Sequence, residues 1–192
     1  MSYKVEKSID RFSNKTTIKM NKKCRISSPF ISVSQLKFRH CSIKGEFDSI
    51  LIDYYWTGSY NYIETSGNNL IIRINNNENI TLPFEFSGDR ERSSHTDNNG
   101  NVSYTYYEYN YVKINKQILE KICDATNIEF KVVDKEYSGK KAQDFINYSR
   151  IFYNGLYSEN KYHIDDTSLG LTSIIMIIAF IITILIILFS II

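Results

Sequence analysis

The sequence predicts an α+β fold: an antiparallel, β-rich domain closed by a helix, a strand and a second helix, plus one C-terminal transmembrane helix. Three observations predict it. Apolar residues alternate at period two up to residue 114, the period then changes to that of a helix, and residues 169–192 carry no charge. Period-two alternation gives a strand one buried and one wet face, whereas a 3.6-residue period gives a helix one apolar stripe. Strands first and helices afterwards is the order of α+β domains. The 192 residues divide into a soluble domain over 1–157, a polar tether over 158–168 and the hydrophobic end over 169–192.

Strands are expected at residues 16–20, 24–28, 36–44, 49–57 and 60–65. The clearest pair follows in "NLIIRINNNENITLPFEF". Leu70, Ile72 and Ile74 share one face, Ile80, Leu82, Phe84 and Phe86 share a face of the returning strand, and "NNNEN" is the turn. Pro83 falls on the outward face, which suits an edge strand because proline donates no ladder hydrogen bond. Residues 87–101, "SGDRERSSHTDNNGN", show no apolar alternation and read as a long structureless loop. In the next strand, 102–114, the alternation of "VSYTYYEYNYVKI" slips phase at Tyr106 and Tyr107, as a β-bulge would require. Asn115 is placed to cap a helix over 116–126, where Ile118, Leu119, Ile122 and Ala125 share a face. "NIEFKVV" is a further strand, and Ala142, Phe145, Ile146, Ser149 and Phe152 mark a second helix ending near Gly155.

The last 24 residues include eleven Ile, four Leu and two Phe. As a helix they measure about 36 Å, slightly more than a hydrocarbon core of about 30 Å. A helix apolar on every face would need a far larger protein to bury it in water, so the lipid bilayer is its expected surroundings. The first residues contain no apolar run of the kind that opens a secretory signal, which places the domain on the cytoplasmic side of a single-pass protein. Cys24, Cys41 and Cys123 have neither metal-site nor redox spacing and read as reduced thiols.

Charge is uneven. Residues 1–44 hold eleven Lys or Arg against Glu6 and Asp10, a net +9, and the remainder carries −7. A basic face can meet anionic lipid headgroups, each base near the surface adding about 1 kcal/mol. The overall +2 is too even for a protein that grips nucleic acid. Three scattered histidines, and the absence of a P-loop or a dinucleotide fingerprint, give no catalytic residue, no metal ligands and no cofactor site. Ser93, Ser94, His95 and Asp97 are neighbours in sequence, whereas a triad converges from separate rigid elements.

Two stretches, "IDRFSNKTTIKM" and "KQILEKICDATNIEFKVV" with "FINYSRIFYNGL" after it, resemble the opening and closing segments of small uncharacterised bacterial β-rich proteins. That resemblance implies a β-rich fold and brings no activity, cofactor or site residue.

Binding is the function the sequence points to. Tyr104, Tyr106, Tyr107, Tyr109 and Tyr111 exceed what one strand face buries, so some of them face outward, where tyrosine combines contact area with a polar tip. Arg90 and Arg92 alternate with Asp89 and Glu91 and suit a charged protein partner. These five tyrosines and two arginines are the expected contact residues of a membrane-held interaction module. The alternatives are an enzyme acting at the bilayer and a small membrane-acting effector.

Overall fold

The computed structural model describes residues 2–27, 32–43, 46–85 and 89–164. The expected transmembrane segment, 169–192, lies outside the described residues, as do residues 165–168 of the tether. Among the described residues no helix is long and apolar enough to cross a membrane. Tyr3–His163 form one compact unit, a β-rich antiparallel domain with two helices.

In chain order the strands are β1 (Val5–Asp10), β2 (Lys15–Met20), β3 (Cys24–Arg25), β4 (Ser32–Ile43), β5 (Glu46–Gly58), β6 (Asn69–Ile74), β7 (Glu78–Pro83), β8 (Asp89–Thr96) and β9 (Val102–Ile114). Then come α1 (Lys116–Asp124), β10 (Ile128–Val132), β11 (Lys135–Tyr137) and α2 (Lys140–Tyr157). A seven-stranded sheet runs β1-β2-β4-β5-β9-β8, with β3 also pairing β4; a four-stranded sheet runs β11-β10-β6-β7.

The even-numbered residues of β4, β5 and β9 build the inner face of the large sheet. Leu36, Phe38, Ile50, Ile52, Tyr54, Val112 and Ile114 are buried there, in one cluster with Leu70, Ile72, Ile128 and Phe130 of the small sheet. The expected stripe of α2 lies in the same core, where Phe145 stacks on Phe38 at 5.1 Å and meets Phe130 edge-on at 5.2 Å. The hydroxyl of Ser34 adds a polar tie, donating to Tyr137 at 2.7 Å and lying 3.0 Å from the Tyr54 hydroxyl. Burial of both phenols raises their pKa values, so the tie stays neutral.

Local signals explain the ends of the elements. Asn115 caps α1, its side chain accepting from the Ile118 amide at 2.9 Å. Asn75 and Asn76 have φ of 51° and 64°, a conformation that asparagine tolerates and a tight hairpin requires. The Asn75 carboxamide also accepts from the amides of Thr126 and Asn127, so the same turn anchors the exit of α1. Pro83 is exposed at the end of β7, an edge strand, as its missing N–H demands.

Three expectations are corrected. Residues 87–101 are not a long loop: Asp89–Thr96 form β8, paired to β9 from Asp89↔Tyr109 to Thr96↔Val102. Every residue of β8 is exposed, so its alternation is of charge rather than apolarity. The turn beyond it is held by Asp97, whose carboxylate accepts from Asn101 and the Asn99 amide and is thereby shifted below its usual pKa. Secondly, β9 carries no bulge; its registers with β5 and β8 run unbroken, and the irregularity falls between Cys41 and Ser42. The apolar pattern slips because Glu108 and Asn110 occupy inward positions, not because the backbone does. Thirdly, residues 60–65 form no strand, since the amides of Glu64 and Thr65 donate to the Glu108 side chain instead of to a neighbouring strand.

Candidate functional site

Residues 102–105 of β9 pair with β8 alone, because the β5 ladder ends at Gly58↔Tyr106. β8 and the start of β9 therefore run past the rest of the sheet as a two-stranded ribbon. Val102 (52% exposed), Tyr104 (42%) and Tyr107 (40%) are its large exposed apolar groups.

The register splits the expected contact residues between the ribbon's two faces. Tyr104, Tyr106, Arg90 and Arg92 share the inner face; Tyr107, Tyr109 and Tyr111 share the outer face with Asp89 and Glu91. On the inner face the guanidinium of Arg92 sits 4.9 Å over the Tyr104 ring, and that of Arg90 5.4 Å over Tyr62. Arg90 is further committed: it donates to Glu64 at 2.6 Å and lies 3.7 Å from a Glu108 oxygen. Arg90 thus braces the ribbon against the 59–68 segment, while Arg92 has no carboxylate partner among the described side chains.

Glu108 makes that brace. Its side chain is fully buried, and one carboxylate oxygen accepts from the Thr65 amide at 2.6 Å and the Thr65 hydroxyl at 2.5 Å, the other from the Glu64 amide at 3.0 Å. Asn110, also buried, donates to the Thr65 hydroxyl at 3.0 Å. Next to Glu108 in the ladder stands Trp56, buried with its ring over Gly58, where an added Cβ would collide with it.

On the outer face, cross-strand neighbours run Arg25, Gln35, Tyr55, Tyr109, Asp89 in one row and Thr57, Tyr107, Glu91 in the next. Asp53 is buried on this face because Arg39 holds both of its oxygens, at 2.9 and 3.1 Å, and the Tyr109 hydroxyl donates to it at 3.1 Å. Burial, and then the Asp53 carboxylate, push the Tyr55 phenol up to about 12 and raise that of Tyr109 as well. A cleft of about 410 Å³ opens beside them, lined by Lys23, Tyr55, Thr57, Tyr107, Tyr109, Asp89 and Glu91 among others. The Lys23 ammonium lies 3.4 Å from the centre of the Tyr55 ring, its pKa lowered by burial and by the charge of Lys37.

His40 is buried on the inner face, opposite Ile18 and Ile50 in register and away from the cleft. Ser94 and His95, adjacent on β8, point to opposite faces, and Asp97 is spent on its turn. Among the described residues no group of three or more His, Cys, Asp or Glu is arranged to hold a metal ion. Sequence reading passed over Arg39, Asp53 and Tyr55, the outer-face neighbours of Tyr109, and the inner-face Glu108, because only the strand registers place them. The period-two charge alternation of "DRER" was the signal that could have identified β8.

Fold and site together define a β-rich domain with a protruding, aromatic, charge-sorted ribbon. Comparison with protein-family models, curated proteins and solved structures found no match.

Proposed function

We propose that this chain is a single-pass membrane protein that presents a binding module, Tyr3–His163, at the cytoplasmic face and contacts a protein partner through the β8–β9 ribbon. The observation that carries the reading is the ribbon itself: exposed tyrosines on both faces, two exposed arginines, and an edge of β8 that no described strand pairs. Large amphipathic rings on a rigid element are characteristic of contact surfaces. Residues 169–192 supply the membrane attachment, long enough for the bilayer and without a charged side chain. The three buried, unpaired cysteines suit a reducing compartment. Lys15, Lys19, Arg25 and Lys37 share the outer face of β2, β3 and β4, a basic surface suited to anionic headgroups.

A photo-crosslinking residue placed at Tyr104 or Tyr107 in the full chain tests this reading in isolated membranes. Either position should yield a discrete adduct. The exposed Lys131, on the other sheet, should yield none, and deletion of residues 169–192 should abolish the adduct. The same products from all three positions, or none from the ribbon, would contradict the proposal.

A further inference from the structure

We infer that the free edge of β8 takes up an extended segment of the partner as an added strand, and that the outer face selects a segment with basic side chains at alternate positions. The inference rests on the ribbon being the contact surface and adds what it recognises.

The backbone supplies the first half. Among the described residues β8 ends the large sheet and pairs with β9 on one side only, and it is exposed at every residue. Such an edge presents unpaired N–H and C=O groups to an incoming strand, which gains main-chain hydrogen bonds along its length. Successive side chains of that strand fall alternately beside the outer and the inner face.

Charge supplies the second half. On the inner face Arg90 is already neutralised by Glu64 and Glu108, and Arg92 lies over Tyr104. On the outer face Asp89 and Glu91 have no hydrogen-bond or ion-pair partner among the described side chains. Next to the edge the outer face therefore carries two carboxylates without an ion-pair partner among the described side chains, with the Lys23 ammonium in the same cleft, and the inner face carries the one guanidinium, Arg92, that no described carboxylate pairs. The aromatic cleft next to these carboxylates already holds an ammonium, that of Lys23 against Tyr55, so its rings accept a cation in the folded protein. A lysine or arginine on the added strand, directly beside Asp89 or Glu91, would lie within reach of Tyr107 and Tyr109.

A second copy of the chain is the poorer occupant. Antiparallel pairing sets residues of the same face opposite one another. Two β8 strands engaged through Asp89–Arg92 would then oppose Asp89 to Glu91 or Arg90 to Arg92, and like charges directly opposite are destabilising.

The test uses the full chain in nanodiscs of neutral lipid and three labelled peptides: alternating lysine and threonine, alternating glutamate and threonine, and the lysine peptide with proline in place of threonine. Fluorescence anisotropy should show saturable binding of the first, with the other two weaker by about tenfold or more. The amides of β8 should gain protection from hydrogen exchange, and the double substitution Asp89→Lys, Glu91→Lys should reverse the preference between the first two peptides. Equal binding of the acidic and basic peptides would overturn the charge selection, and equal binding of the proline peptide would overturn strand addition. No binding of any peptide would overturn both, and so would a dimer of the chain that Ser93→Pro dissolves. If crosslinks form at Tyr104 or Tyr107 while no peptide binds, this inference fails and the module remains. If the basic peptide binds and no crosslink forms in membranes, the inference stands and the proposed cellular contact fails.

Discussion

Glu108→Ala should lower the stability of the domain by about 2 to 5 kcal/mol, because it strands the buried amide and hydroxyl of Thr65 and the part-buried amide of Glu64, which all donate to the same carboxylate. Each unsatisfied buried donor costs about 1 to 3 kcal/mol, and water reaches the site poorly because Thr65 and Asn110 are fully buried. Glu108→Gln should cost less, since its carbonyl can still accept from Thr65 while its amide faces the Glu64 N–H as a second donor. Trp56, the only tryptophan and the ladder neighbour of Glu108, reports directly on the site. Urea unfolding followed by its fluorescence should show the alanine variant with the lower midpoint and the glutamine variant between it and the parent. A loss below about 1 kcal/mol for alanine would mean that the 59–68 segment is held by other contacts.

The second large effect is expected at Phe145→Ala, also about 3 to 5 kcal/mol, the range for emptying a buried aromatic position. Phe145 is fully buried and touches both sheets, stacking on Phe38 and meeting Phe130 edge-on, with Tyr148 beside it at 5.6 Å. Its removal leaves a void between rings held by a helix and two sheets, where collapse is restricted from three sides. Phe145→Leu should recover more than half of the loss, because a branched aliphatic side chain refills much of the volume. Equal losses for alanine and leucine would show that ring stacking, and not volume, holds α2 to the sheets.

What the sequence made legible follows from where burial is one-sided. β6 and α2 were read nearly residue by residue, because Leu70, Ile72 and Ile74, and then Phe145, Ile146 and Phe152, repeat at the period of their element and bury that face; β7 stops at Pro83, short of Phe84, and Phe86 lies outside the described residues. β1 and β8 left no such trace. Both are edge strands with almost every side chain in water, so no apolar period exists to be read. The phase slip in β9 came from Glu108 and Asn110 standing where apolar residues were expected; their carboxylate and amide are satisfied by a segment more than forty residues away in sequence. Of the candidate site, the residue types were visible and the faces were not. Tyr104 and Tyr107 look equivalent in the sequence and lie on opposite sides of the ribbon, a difference fixed by the pairing with β8. The segment read as a tether is also partly folded, since Asn154 bonds the Tyr162 backbone in both directions, at 2.8 and 3.2 Å.

The central claim is that residues 169–192 hold the domain at a membrane with its ribbon open to the cytoplasm. It is tested most directly by labelling Ser94→Cys in the full chain with a membrane-impermeant maleimide. Ser94 is exposed on β8 and the three native thiols are buried, so the signal belongs to one site. The expected result is rapid labelling in carbonate-washed inside-out vesicles and none in intact cells. Labelling from outside intact cells, or loss of the protein from the membranes during the wash, would contradict the account.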